Sequence, residues 1–541
     1  MGNTLSYQES KCEVQLPGTK GKIQGLQFDT KSRRFANVAY ALLPTGDRRW
    51  RKPQPLPESH SYSTTEGAPF DGTKFGQVCL QPNYSASVKK QIPQHDYGED
   101  CLRLNIWTPV PKDEGNVPPK WPVMVWFHGG WFQMGDPSNE ASMDPTELIS
   151  TGGLNAVFVA VGYRLNVFGF LAGAPLQDES PEGAVGNYGL WDQRLAMDWV
   201  YENISAFGGD PENITLSGRS AGAYAVQAQT LYDFRGTLPE SARNRFRRLV
   251  MYSNAIPAQP KTPAECQPQF DELCEYFDIP STSAGSEKLK RLRELSAQDL
   301  CGAIMKLKHH TFRPVTDDVF IHRNLFEYYR DGSFAREFRR RGLRIFIGEV
   351  LNEETLYAVT NGPEASLDSL ETQISNYYSP STTSRLLQHY ALPSSDLKQD
   401  WEAVFGRIVS DGQVRAPSRF LVNNLLENGV DVRDIWRYVI AYRLSFITEK
   451  VAPASFGVSH AMDRPFWNYS IMHGPTSAER QLLHEWVRDL VAFVNDKPGH
   501  VYGTEKADEV KVATPEGRIE VQKDTRWVEL LDLLEVFAGS D

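Results

Sequence analysis

The chain has little of what would assign it to a specialised environment. Only six cysteines occur in 541 residues, too few for a disulfide scaffold, and Cys12, Cys79, Cys101, Cys266, Cys274 and Cys301 show no metal-ligand spacing. No metal and no cofactor is expected. Lysine and arginine number 57 against 68 acidic residues, a net charge of −11. Without a basic excess there is no electrostatic footprint for nucleic acid. The longest apolar runs, such as Val123 to Phe127 and Val157 to Val161, fall far short of the ~20 residues that a membrane-spanning helix needs. Met1 to Pro17 is largely polar and lacks the apolar core of a secretory signal, so a cytoplasmic location is expected. The start Met1-Gly2-Asn3-Thr4-Leu5-Ser6 does fit the pattern for N-myristoylation at Gly2, one route to membrane association.

Low-complexity stretches and repeats at solenoid periods are also missing. With 40% hydrophobic residues over this length, the sequence supports one large core. Residues 1–20 read as an N-terminal tail and residues 21–541 as a single domain. The basic clusters Arg243 to Arg248 and Arg339 to Arg344 read as solvated helix faces.

From about Leu102 onward, strand-like and helical patterns alternate. Strands are expected at Leu104 to Thr108, Val123 to Phe127, Val157 to Tyr163, Ile214 to Gly218, Leu249 to Tyr252, Ile345 to Gly348 and Tyr438 to Tyr442. Helices are expected at Gly189 to Ser205, Ala221 to Leu231 and Ala478 to Phe493. This order predicts an α/β fold with a mostly parallel central sheet and helices on both faces. In such sheets the chemistry sits at the carboxyl ends of the strands.

The segment Asn213-Ile214-Thr215-Leu216-Ser217-Gly218-Arg219-Ser220-Ala221-Gly222-Ala223 runs from a buried strand through Gly-x-Ser-x-Gly into an alanine-rich helix. A serine on so sharp a turn is lifted above the sheet edge, and glycine at Gly218 and Gly222 lets strand and helix approach closely. The pattern alone is expected about 0.2 times by chance in a chain of this composition, so its context decides. That context nominates Ser220 as a nucleophile. The loop after the Ile345 strand carries carboxylates at Glu349, Glu353 and Glu354, where the acid of a triad belongs. A later loop, Phe456 to Pro465, carries His460. His389 and His484 fall within helical patterns, whereas His473 and His500 are the other loop histidines.

These residues resemble the type-B carboxylesterase/lipase family, which includes cholinesterases and fungal lipases, and the chain is most similar to its fungal-type carboxylesterases. The likeness runs from about Gly21 to Val491. It is carried by Glu99 to Asn105 (Glu-Asp-Cys-Leu-Arg-Leu-Asn), Tyr163-Arg164-Leu165 with Phe168 to Leu171, Gly186 to Gln193 (Gly-Asn-Tyr-Gly-Leu-Trp-Asp-Gln), and Phe207 to Pro211. The resemblance implies an α/β-hydrolase fold and a triad of Ser220 as nucleophile, His460 as base and Glu353 as acid, with Glu354 as the fallback acid. It places the oxyanion hole at His128-Gly129-Gly130-Trp131, with the amides of Gly130, Trp131 and Ala221 as donors.

Three departures from the family pattern bear on substrate. Trp131 stands where the family usually has a third glycine, which would put an indole against the acyl pocket. Arg219 stands where the family mostly has glutamate, which reverses the charge beside Ser220 and makes Arg219 either a second candidate for the substrate pocket or a buried arginine in a structural ion pair. The loop from Cys79 to Cys101 contains no tryptophan, unlike that of cholinesterases, which argues against a quaternary ammonium substrate. The resemblance also implies a disulfide between Cys79 and Cys101, although a cytosolic location would keep both thiols reduced.

The expectation is therefore hydrolysis of small-molecule uncharged esters or lactones through an acyl-enzyme on Ser220. Acyl transfer to an alcohol is the alternative within catalysis. A non-catalytic adhesion relative is a third reading, opposed by the intact set of Ser220, Glu353 and His460.

Overall fold

A computed structural model of the chain describes residues 7–82, 97–111, 120–138, 144–236, 238–239, 242–469 and 474–539. Twelve strands lie side by side in one sheet. In chain order they are β1 (Glu9–Gln15), β2 (Lys22–Phe28), β3 (Ser32–Ala39), β4 (Arg103–Pro109), β5 (Trp121–Phe127), β6 (Val157–Val161), β7 (Gly209–Arg219), β8 (Arg248–Tyr252), β9 (Arg344–Val350), β10 (Ile435–Ile440), β11 (Glu509–Ala513) and β12 (Ile519–Lys523). Their spatial order is β1-β2-β3-β4-β6-β5-β7-β8-β9-β10-β11-β12, with the short strand Phe70–Asp71 pairing alongside β2. The run from β6 to β11 is parallel, and the strands flanking it on either side pair antiparallel.

The middle strands are apolar throughout because both of their faces are covered. Successive side chains alternate between faces. Val123, Val125, Phe127, Leu249, Met251, Ile345 and Ile347 enter one core cluster, while Met124, Trp126, Val250, Tyr252 and Phe346 enter another. The helices α1 (Tyr188–Asn203) and α2 (Ala221–Phe234) pack on the first face, and α4 (Ser477–Val494) on the second. The short helix α3 (Glu354–Val359) follows β9. Among the described residues no helix is long and apolar enough to cross a membrane.

Two expectations require correction. The tail drawn over residues 1–20 holds β1, which pairs with β2 along its full length, so the sheet begins at Glu9. Its residues are largely exposed and polar, as an edge strand tolerates, and this hid it from an apolar pattern search. The basic clusters are not wholly solvated. Arg341 is buried against Asp233, and Arg248 is buried beside the exposed carboxylate of Asp496.

Candidate active site

Four carboxyl ends meet at one place. The end of β7 delivers Ser220, β5 runs into the His128–Trp131 loop, β9 runs into Glu353, and the chain beyond β10 returns with His460. β7 sits between β5 and β8 near the middle of the sheet, so Ser220 is surrounded by the loops of its neighbours.

The turn at Ser220 is set by sterics. Its backbone adopts φ 54° and ψ −124°, a conformation that costs a non-glycine residue about 1–3 kcal/mol. Ser220 N donates to Tyr252 O at 2.7 Å, and the first bond of α2 runs from Tyr224 N to Ser220 O at 3.0 Å. A Cβ on Gly222 would lie 1.9 Å from Phe127 O, and one on Gly218 would lie 2.3 Å from the carbonyl carbon of Gly222. Both glycines are therefore required for strand and helix to come this close.

The loop after β5 is pressed onto the same turn. A Cβ on Gly129 would come within 3.1 Å of the Ser220 Cβ. Gly130 has φ 113°, and its carbonyl accepts from the amides of Gln133 and Met134. The His128 ring stacks on Tyr163 at 4.4 Å, while the Tyr163 hydroxyl donates to His128 O at 2.7 Å. Among the described residues the Gly130 and Trp131 amides have no internal acceptor. The Ala221 amide opens α2 ahead of its first intrahelical bond, so it too is left to meet an anion.

Trp131 holds φ 56°, a left-handed conformation that costs roughly 1–2 kcal/mol for a residue with a Cβ. Glycine would bear this without strain. The indole packs edge-on to Tyr357 at 6.1 Å and joins the cluster that contains Ala258, Leu370 and Ile374. The indole and the Tyr357 ring thus form one aromatic face at the end of this loop.

His460 and Glu353 are brought together: His460 Nδ1 hydrogen-bonds Glu353 Oε2. The other carboxylate oxygen accepts from Val350 N at 2.9 Å, and Glu353 is fully buried. Glu354 turns away and pairs with Arg415. The two loops are joined through Asn352, whose N donates to Val458 O at 2.9 Å and whose side-chain Oδ1 accepts from Val458 N at 3.0 Å. His484 meets the Tyr469 hydroxyl at 3.1 Å, and His500 meets Asp489 at 2.7 Å, so both are engaged elsewhere. His389 closes a helix, and His473 and Gly2 lie outside the described residues.

One residue at this centre escaped the sequence reading. The Tyr357 hydroxyl lies 3.5 Å from His460 Nε2, with the Ser220 side chain as a neighbour. Burial, with the Glu353 carboxylate nearby, holds its phenol well above the ordinary tyrosine range, so it stays neutral. Tyr357 is four residues beyond Glu353, one helical turn along α3 on the same face. That spacing was the available signal.

Arg219 requires a correction. Its guanidinium is buried 3.4 Å from Asp463 and 5.7 Å from the Tyr252 ring centroid, so its charge is neutralised inside the protein. It is an ion pair tying the serine turn to the histidine loop, in place of the substrate-pocket candidate. Cys79 and Cys101 also differ from the pairing implied. Both thiols are buried and free, and the neighbouring Cys79 thiol, together with burial, pushes the Cys101 thiol well above its ordinary range.

The chain matches the model of the carboxylesterase family over residues 10–528, and it belongs to that family. The architecture described above is its α/β-hydrolase fold. An uncharacterized esterase/lipase of Schizosaccharomyces pombe is 38% identical over 95% of both chains. A carboxylic ester hydrolase of Gibberella moniliformis is 35% identical over 94% of this chain and 93% of its own. Lipase 4 of Diutina rugosa is 30% identical over 60% of each. The chain is accordingly a carboxylic ester hydrolase by family.

Proposed function

We propose that hydrolysis proceeds through an acyl-enzyme on Ser220, with His460 as general base and then acid and Glu353 as its carboxylate partner. The observation that carries this reading is Ser220 itself. A serine held in a left-handed conformation between two obligatory glycines, beside a buried His–Glu pair, has no structural task that another residue would not perform at lower cost.

In this reading Ser220 Oγ attacks the ester carbonyl as His460 Nε2 takes its proton, and Glu353 stabilises the imidazolium through Nδ1–H. The amides of Gly130, Trp131 and Ala221 receive the oxyanion. They are directed before substrate arrives, so little reorganisation is needed as charge develops. His460 then protonates the departing alcohol, and water repeats the cycle to release the acid. Tyr357, neutral and placed against both Ser220 and His460, supplies a further donor at the reacting atoms.

The test is Ser220→Ala with a fluorophosphonate label on the wild type. Turnover of a simple ethyl ester should fall by a factor of order 10³ or more while near-UV circular dichroism is unchanged, and the label should fall on Ser220. An active alanine variant, or labelling at another serine, would overturn the assignment.

A further inference from the structure

Near the cluster that holds Trp131 and Tyr357 lies a small cleft, with about 30 Å³ of water-accessible space, enough for one small polar group. Its lining includes Lys261 and Arg313 but no aspartate or glutamate. In a chain with 68 acidic residues no carboxylate lines this cleft, and Glu265, outside the lining, is the acidic group whose charge reaches Lys261. Among the described residues neither has a carboxylate within ion-pair distance. Lys261 Nζ donates to the Ser375 carbonyl, and Arg313 Nη2 donates to Gln413 Oε1 at 2.8 Å. Arg313 also stacks over the Tyr377 ring at 5.0 Å, which orients its fork without neutralising it. Gln413 is held in turn by donating to the Tyr378 hydroxyl at 2.9 Å. It sits in a π-helical turn, Asp411–Arg415, a rare irregularity often found at functional sites.

Residues of the cleft connect it to the serine turn and the loop facing it. Gln133 donates to Trp131 O at 2.9 Å and accepts from Phe312 N at 3.0 Å, which ties the residue before Arg313 to the oxyanion loop. Tyr224, one turn beyond Ser220 on α2, lines the cleft and has its ring centroid 6.0 Å from the Arg313 guanidinium. Ala258, another lining residue, packs in the same cluster as Trp131 and Tyr357.

We propose that this cleft is a carboxylate-recognition subsite, and that the substrates are carboxylic esters bearing a free carboxylate, which Arg313 and Lys261 bind while the ester lies at Ser220. This rests on the esterase reading above and replaces the uncharged ester expected from the sequence. Two neighbouring cations with open N–H groups gain most from a planar anion that the guanidinium can meet with two parallel bonds. Burial, reinforced by Arg313, already pushes the Lys261 amine below its ordinary range, and a bound anion would reverse that cost.

The test compares charged esters with neutral isosteres at fixed ionic strength by pH-stat. Monoethyl glutarate and adipate against ethyl pentanoate and hexanoate place the carboxylate in the acyl half; 3-butanoyloxypropanoate against propyl butanoate places it in the alcohol half. Wild type should prefer the charged member of at least one pair in kcat/KM. Arg313→Gln should reduce that preference by a factor of order 10 to 100, Lys261→Gln should reduce it less, and Arg313→Lys, which keeps the charge but loses the fork, should fall between wild type and Arg313→Gln. Preference for the neutral member in both halves, or a preference unchanged in every variant, overturns the subsite. Hydrolysis of ethyl pentanoate that vanishes in Ser220→Ala keeps the esterase reading whatever the ratios do. If wild type hydrolyses no ester, that reading fails, and the subsite is decided by calorimetric binding of glutarate to Ser220→Ala and its loss in Arg313→Gln. Should Arg313→Gln not fold, Lys261→Gln and glutarate protection of wild-type Ser220 from the fluorophosphonate decide it.

Discussion

Ser220 and the loop beside it are fixed by backbone collisions, whereas His460 and Glu353 are fixed by side chains that meet across more than a hundred residues of chain. On the serine side the constraints lie within a few positions: Gly218 and Gly222 flank the nucleophile, and Gly129 and Gly130 shape the facing loop. On the histidine side the loop from Ala454 to Asp463 has no regular structure beyond one turn. It is held from outside by Asn352, by Thr355 Oγ1, which donates to Phe456 O at 2.9 Å and meets Ser459 Oγ at 2.8 Å, and by Arg443 donating to Gly457 O at 2.5 Å. Ser220, the proposed nucleophile, is thus held by local geometry, and His460, the proposed base, by tertiary support. The first should tolerate almost no change, and the second should fail by degrees.

The largest effect should come from the serine side. Gly222→Ala places a methyl 1.9 Å from a backbone oxygen that no rotamer change can move, so the turn must open. Loss of more than about 4 kcal/mol in urea unfolding is expected, with turnover lost as well. A stable, active variant would show that the turn is far softer than its contacts imply. On the histidine side, Glu353→Gln should lower kcat by a factor of order 10³ while the protein stays folded, because the imidazolium loses its partner. Glu354→Gln breaks only a partly exposed pair with Arg415 and should cost less than about tenfold. If the two variants are equally damaging in steady-state assays, the carboxylate is not acting through His460.

Trp131 separates the halves from a third direction. Trp131→Gly relieves a left-handed tryptophan but removes the indole packed against Tyr357. Its chain-length profile should shift toward longer or branched acyl groups by a factor of about 10 to 200 in relative kcat/KM. A profile superimposable on that of wild type would mean that the indole does not bound the acyl site. The smallest effect is expected at Tyr357→Phe, which removes one hydroxyl between Ser220 and His460. A two- to twelvefold fall in kcat, about 0.5–1.5 kcal/mol, is the scale of one hydrogen bond. A loss matching that of His460→Ala would instead make the phenol an obligatory link for the proton.

The residues that the sequence revealed are those whose signal is local. The elbow glycines, the His128-Gly129-Gly130 run and the alternation of β7 with α2 are each read within a dozen positions, because sterics and strand or helix period act at that range. The order of serine, acid and histidine was legible because parallel strands deliver successive loops to one edge. Register within the acid loop came from the family likeness, and contact with His460 distinguishes Glu353 from Glu354 in space.

What the sequence left open depends on partners far along the chain. Arg219 could be a charge offered to substrate or half of a buried ion pair, and Asp463, 244 positions later and against it in the core, selects the ion pair. The edge strand β1 carries no apolar pattern of its own and is defined by pairing with β2. Arg313 and Lys261 gave no signal in sequence, since a cation without an ion-pair partner is a statement about which carboxylates are absent from its surroundings. Local sterics determine what a few residues must do, but charge and pocket shape are sums over everything nearby, and only the tertiary structure sets what is near.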